Sequence, residues 1–380
     1  MKVLMIAPYP NPGTAIQSGV ATVTYNLVEG FKQIPEVELL ILSTCQDKEE
    51  EIHISSNVTV RFVKSIYRSR KAELRNHIKP LLLSLERDWN PDIIHIQGNG
   101  SSLLLYDKSI RHKLVITQHG IIRNEMRQTK QLRNKFNMFL ALMIERRIKR
   151  HITNWVFISR YNRDLFSKTL GKINSVLAYN PVNPKYFVTG SPQISKELKL
   201  LFVGRLVPLK GLKDLLVGIN TPDLKNRVTL HVVGGFDSDS YRKEITDYID
   251  TEGLGECVRM HGWLTSEEII AIENECSTLV LPSYQETLPC VIAEAMAMGK
   301  TVISTKIGGI PEMVDEGETG FLYDAGDVKG LRKAILRLSS LSAEQHNRMS
   351  KSAIKKAKKL YDPGNIAKQH IDFYQSIINR

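Results

Sequence analysis

The stretch Leu198-Lys199-Leu200-Leu201-Phe202-Val203-Gly204-Arg205-Leu206-Val207-Pro208-Leu209-Lys210-Gly211 decides how this chain is read. Five of its first six residues are apolar, interrupted only by Lys199, the character of a strand in a parallel sheet covered on both faces. A glycine ends the strand, two cations follow within a turn, and Lys210-Gly211 opens the next helix. Downstream the alternation of strand and amphipathic helix continues, with strands expected at Val228–Val233, Val258–Met260, Thr278–Leu281, Val302–Ser304 and Gly320–Leu322. Upstream the same alternation runs through Val3–Ala7, Val37–Leu42, Val58–Val63, Ile93–Ile96, Leu114–Thr117, Trp155–Ile158 and Ser175–Ala178. Between the two series lie Asn180-Pro181-Val182-Asn183-Pro184 and Thr189-Gly190-Ser191-Pro192, rich in turn formers and poor in apolar residues. This predicts two doubly wound α/β domains, 1–187 and 188–360, followed by a tail helix over 361–380. Such halves bind ligands at the carboxyl ends of their strands, and here the two crevices are expected to face a central cleft.

At 380 residues the chain has room for two cores, and 42% apolar with 24% charged residues is ordinary globular composition. The start, Met1 to Pro8, reads as a first strand and lacks the longer apolar stretch and cleavage site of a signal peptide. No apolar run approaches the ~18 residues of a membrane span. Four dispersed cysteines without a CxxC pair indicate free thiols in a reducing compartment, hence the cytoplasm. The net charge of +12 is uneven: residues 1–190 hold 28 Lys and Arg against 15 Asp and Glu, the remainder 24 against 25. The excess peaks between Arg123 and Arg150, where nine cations meet two acids. With Phe136, Met138, Phe139 and Leu140 alongside, that stretch is either a solvated helix face or a surface for anionic lipid. No nucleic-acid motif accompanies the charge.

The chemistry-bearing residues fall just after strands. Gly204, Arg205 and Lys210 suit a diphosphate, the glycine admitting close backbone approach and the cations meeting developing negative charge. Gly234-Gly235 is a second close-approach pair. Glu286 sits in the loop after Thr278–Leu281, and Pro289 marks a helix start. The amides of Thr287 and Leu288 would point at an anion. Glu294, one or two turns into that helix, would accept from a ribose diol. In the first half, Gln17-Ser18-Gly19-Val20 opens a helix after strand one, and His119 in Thr117-Gln118-His119-Gly120 follows a strand. Gly98-Asn99-Gly100 lacks the spacing of a dinucleotide fingerprint. Asp237-Ser238-Asp239 reads as a helix cap rather than a metal motif, and no metal-ligand cluster stands elsewhere.

Together these residues resemble the large retaining glycosyltransferase family numbered four, which has the GT-B fold. The resemblance covers nearly the whole chain. It is most specific at Gly204–Gly211, at Glu286–Ala297, and at Gly308-Gly309-Ile310-Pro311-Glu312 with Gly317–Leu322. It implies that Arg205 and Lys210 bind the donor diphosphate, Glu294 the ribose and Glu286 the transferred sugar. The family's N-terminal glycine loop and post-strand histidine fall on Gly19 and His119. The loop usually reads Gly-Gly, whereas Ser18-Gly19 stands here. The family's C-terminal helix crosses back to the first domain, which would cover the apolar face of the tail. The implied activity is metal-free, cofactor-free transfer of a sugar from a UDP or GDP sugar to a hydroxyl, with retention. The basic first half adds a lipid-linked or anionic saccharide acceptor at the inner membrane face, as in bacterial surface polysaccharide or glycolipid synthesis. Rival readings are a nucleotide-sugar epimerase of the same fold and a catalytically silent membrane-surface binding protein.

Overall fold

In the computed structural model the chain forms two compact α/β units. The structure describes residues 1–11, 14, 16, 18–45, 49–98, 100–119, 139, 142–143, 149–167, 173–187 and 198–380. One unit comprises Met1–Asn11, Gln17–Pro181 and Asp362–Arg380; the other comprises Pro12–Ile16 and Val182–Tyr361.

The first unit is built on β1 (Lys2–Ile6), β2 (Glu38–Cys45), β3 (Glu50–Ser55), β4 (Val58–Lys64), β5 (Ile93–Gly98), β6 (Leu114–Gln118), β7 (Asn154–Phe157) and β8 (Asn174–Leu177). Their order is β3-β4-β2-β1-β5-β6-β7-β8. Every pair is parallel except β3 with β4. Apolar alternation does not announce β3, because it is an edge strand that begins with two exposed glutamates. Glu51 is anchored to Arg61 of β4 at 2.7 Å. Charge of this kind keeps a sheet edge from recruiting another strand.

The second unit carries β9 (Leu198–Val203), β10 (Val228–Val233), β11 (Val258–Gly262), β12 (Thr278–Leu281), β13 (Thr301–Thr305) and β14 (Gly320–Tyr323), in the order β11-β10-β9-β12-β13-β14. All are parallel; the residues of β9, β10, β12, β13 and β14 are mostly buried, whereas the edge strand β11 is largely exposed after Val258. The chain winds outward from β9 through β10 to β11, then resumes on the other side of β9 at β12. The loops after β9 and β12 therefore flank a topological switch point, where open parallel sheets bind ligands. In the first unit β1 lies between β2 and β5 in the same way.

The boundary expected at 187/188 falls instead after Pro181. Val182 donates its N–H to the Tyr361 carbonyl at 2.9 Å, Tyr186 is buried, and Lys185 pairs with Glu267 at 2.8 Å. Residues 182–187 thus pack into the second unit. Thr189-Gly190-Ser191-Pro192 lies outside the described residues.

The tail also divides differently. Tyr361 ends the helix Ala343–Tyr361 of the second unit, and Asp362 caps the next helix by accepting the Asn365 N–H at 2.9 Å. That helix, Pro363–Ile378, belongs to the first unit and packs on the helix Gly19–Phe31. Ile366, Ile371, Phe373 and Tyr374 are buried, each burial stabilising by about 1.5–3 kcal/mol. Contact is so close that a Cβ on Gly30 would lie 2.0 Å from the Pro363 carbonyl oxygen. Among the described residues no helix is long and apolar enough to cross a membrane.

Gly30→Ala is therefore expected to cost about 1–3 kcal/mol through forced separation of these two helices. At Gly19 an added Cβ meets nothing within 4 Å, so Gly19→Ala should unfold in urea like the wild type. Equal midpoints for Gly30→Ala and the wild type would contradict the packing described.

Candidate active site

The floor of the candidate site in the second unit is a set of loops whose backbones touch. Gly204 and Gly234 end neighbouring strands, with φ of 154° and 136°. A Cβ on Gly234 would sit 1.9 Å from the Gly204 oxygen. The glycine at 234, expected to admit a ligand, is demanded by the loop beside it. Gly235 lies against the Trp263 indole, where a Cβ would meet Nε1 at 2.1 Å. The turn Pro208–Lys210 ends at Gly211, whose φ of 70° and closeness to the Pro282 oxygen exclude any side chain. The Tyr284 N–H then donates to the Leu209 carbonyl at 2.8 Å. The loop after β9 is thereby fastened to the loop after β12.

This fastening brings Lys210 and Glu286 together across 76 residues of sequence, with Nζ 2.5 Å from Oε1. The same oxygen accepts from the Ser283 hydroxyl at 2.8 Å. Glu286 is only 10% exposed at its side chain and Lys210 22%, so water screens the pair far less than a surface bridge. Gly308 seats its backbone on the Glu286 carbonyl, and the Gly309 N–H donates to the Thr287 carbonyl at 2.9 Å. Arg205 is not part of this pair. Its Nη1 meets Asp237 Oδ2 at 2.8 Å on an exposed rim. Of the Asp237–Asp239 stretch, Ser238 is the cap, accepting the Tyr241 N–H at 3.3 Å, while Asp237 partners the arginine.

Pro289 is the cap of the helix Cys290–Ala297 rather than its first residue, so Thr287 and Leu288 precede the helix instead of forming its first turn. Glu294 lies within that helix and is buried. Burial pushes its carboxyl up to about 7, against the opposing charge of Lys185. A second buried carboxylate, Glu273, is pushed up to about 8 by burial and by Glu294, with Lys300 opposing. Sequence reading missed Glu273 because it occupies one position of the acidic helix Ser266–Glu275. Only its inward face distinguishes it from Glu267 and Glu268.

In the first unit, Gly19 begins the helix Gly19–Phe31, whose cap Ser18 makes no side-chain hydrogen bond and whose first turn holds no acid. Gln17 and Gly120 lie outside the described residues. His119 directly follows β6, donates its backbone N–H to the Gly98 carbonyl at 3.1 Å, and places Nε2 2.6 Å from Gln97 Oε1. Burial, with the charge of His370, lowers it to about 4, so the ring is neutral near pH 7. Beneath it, His95 contacts Tyr374 at 2.5 Å and Thr117 at 2.7 Å, and His370 bonds the Ile366 carbonyl at 2.8 Å. Gln97 and His95 alternate with isoleucines along β5, and those polar interruptions of a buried strand were the signal for this cluster.

Of the basic stretch Arg123–Arg150 only Phe139, Leu142, Met143, Lys149 and Arg150 fall within the described residues. Lys149 does not belong to a solvated surface. It is buried with Nζ 3.5 Å above the Phe166 ring, and burial lowers its pKa to about 7.

Two α/β units with switch-point loops of this kind define a class of two-domain proteins that bind ligands at the carboxyl ends of their strands. Sucrose-phosphate synthase from Thermosynechococcus elongatus superimposes with a TM-score of 0.85 at 19% identity, over 100% of this chain and 99% of that one. Anabaena HepE in complex with UDP does so with a TM-score of 0.75 at 19% identity, over 99% and 100%. An uncharacterized glycosyltransferase of Methanocaldococcus jannaschii is 27% identical over 349 residues, 89% of this chain and 88% of that one. Residues 17–186 match the family described as Glycosyltransferase Family 4, and residues 189–356 match Glycosyl transferases group 1. The chain belongs to the glycosyltransferases of family 4 type, with the GT-B fold.

The buried acids generate a stability prediction. A carboxyl whose folded pKa is raised favours the fold while protonated, and that contribution is lost as pH climbs through the folded value. For Glu273 the window runs from about 4.5 to about 8. Glu273→Gln should match wild-type thermal stability near pH 5 and exceed it by several degrees near pH 9. A Tm difference constant with pH would count against a buried, protonated Glu273.

Proposed function

We propose that the chain is a retaining, metal-independent hexosyltransferase that takes its sugar from a nucleoside diphosphate, UDP or GDP. The acceptor is a hydroxyl on a lipid-linked or anionic saccharide, in bacterial surface polysaccharide or glycolipid synthesis at the cytoplasmic membrane face. The observation that carries this reading is the half-buried Lys210–Glu286 pair at the switch point of the second unit. One cation and one carboxylate, held by backbone contacts from three loops, suit a ligand with a diphosphate next to sugar hydroxyls. HepE, of like fold, has been crystallised with UDP and with UDP-glucose.

In this reading Lys210 and Arg205 take the diphosphate, and Glu294 accepts from the ribose. Glu286 takes hydroxyls of the transferred sugar. Arg205 would exchange Asp237 for phosphate, a small cost for a pair in water. Gly19 leaves the first amides of its helix open to an anionic or polar group. Neutral His119, with Nε2–H committed to Gln97, offers Nδ1 as an acceptor to a hydroxyl.

In the transfer step the acceptor oxygen bonds to the anomeric carbon as the bond from that carbon to the diphosphate oxygen breaks. The acceptor proton passes to the departing phosphate on the same face, which preserves configuration. Lys210 and Arg205 stabilise the charge that develops on the leaving group.

Lys210→Ala and Glu286→Ala should each lower turnover with the best nucleotide sugar by at least about 100-fold, with circular dichroism unchanged. The donor is found by thermal shift with nucleoside diphosphates, and product configuration by NMR. An inverted product would remove the retaining assignment. An altered nucleotide sugar formed from donor alone would point to the epimerase, and near-wild-type turnover in both variants would remove the site assignment.

A further inference from the structure

The end of β4 and the helical segment after it carry a surface that the transfer chemistry does not use. Lys64, Arg68, Arg70, Lys71 and Arg75 are all exposed, and none forms an ion pair with a described residue. Among them stand Ile66, 63% exposed, and Tyr67, 39% exposed. Ile66 is the most exposed of the large apolar side chains among the described residues.

This tip is held in place. Glu73, the one acid between Lys64 and His77, is buried and turned inward. Its Oε2 accepts the N–H groups of Ile66 at 3.1 Å and Tyr67 at 2.9 Å, while Oε1 meets His77 Nδ1 at 2.6 Å. The only negative charge in the segment is thus spent on fixing the loop, and the outward face is left wholly cationic.

We propose that Lys64–Arg75 docks the protein on an anionic phospholipid bilayer, with Ile66 and Tyr67 entering the headgroup boundary. Five unpaired cations complement a negative membrane surface, and a tyrosine beside an aliphatic side chain suits the interface between headgroups and acyl chains. A nucleic acid would engage the cations but leave Ile66 in water. The patch is exposed, unlike a buried site for a free phosphate. This inference deepens the membrane part of the proposed function. It is measured without donor or acceptor, so its failure leaves the transfer reading standing, and the reverse also holds.

The test is co-sedimentation of the full chain with vesicles of phosphatidylglycerol and phosphatidylcholine, or of phosphatidylcholine alone, with a DNA duplex as a second polyanion. The stretch Arg123–Arg150 stays unchanged in every variant. Wild-type protein is expected to bind the anionic vesicles at least about tenfold more tightly than the neutral ones, and less so as salt rises. Arg68→Gln/Arg70→Gln/Lys71→Gln should weaken that binding on the order of 100-fold, about fivefold per cation. Ile66→Ser/Tyr67→Ser should weaken vesicle binding several-fold and leave DNA binding unchanged. Wild-type levels of vesicle binding in either variant overturn the proposal, as does equal affinity of the wild type for neutral and anionic vesicles. Binding to DNA as tight as to vesicles, with the Ile66→Ser/Tyr67→Ser variant neutral, assigns the patch to polyanions and overturns the lipid.

Discussion

Backbone pressed on backbone is the constraint on which the second unit's site depends. Gly234 meets the Gly204 carbonyl, Gly211 meets Pro282, and Gly308 meets Glu286, each where a Cβ would overlap an oxygen at about 2 Å. No side chain can intervene, so loops following β9, β10, β12 and β13 behave as one rigid rim. Side chains placed on that rim inherit its precision, as preorganised chemistry requires. A mutated glycine would disturb four loops at once.

The rim explains why charges far apart in sequence can be paired cheaply. Lys210 and Glu286 need little ordering beyond that already imposed by Gly211, Tyr284 and Ser283. Arg205 lacks such support and rests against Asp237 in water. Two cations that look equivalent in Gly204–Gly211 are thus one fixed and one movable. The buried acids form a third environment, where burial of Glu273 and Glu294 raises both carboxyls.

The six strands of the second sheet were legible in sequence because short runs rich in Val, Leu and Ile alternate with amphipathic helices, and even β11, largely exposed and carrying Arg259 and His261, is marked by Val258 and Met260. β3 was not, since an exposed edge strand is selected for charge rather than apolar content. The positions of Arg205, Lys210, Glu286 and Glu294 on their loops and helix followed from strand ends. Their pairing did not. Nothing in the spacing distinguishes Lys210 from Arg205 as the partner of Glu286, because the choice is made by Gly211 packing on Pro282. Gly234 looked like a place for a ligand, yet its emptiness is filled by Gly204. Local signals placed the elements, while contacts between loops decided what each residue faces.

The tail helix has a consequence for how the molecule comes into being. The second unit is nearly continuous and, with Pro12–Ile16 made earlier, has all its residues once Val182–Tyr361 has left the ribosome. The first unit, although it begins at Met1, requires Asp362–Arg380 for its core. Its histidine cluster also lacks His370 and Tyr374 until that segment is made. Domains ordinarily mature in the order of synthesis. Here the unit begun first is completed after the second, and until Asp362–Arg380 is made the apolar residues of the first unit that pack on it stay uncovered.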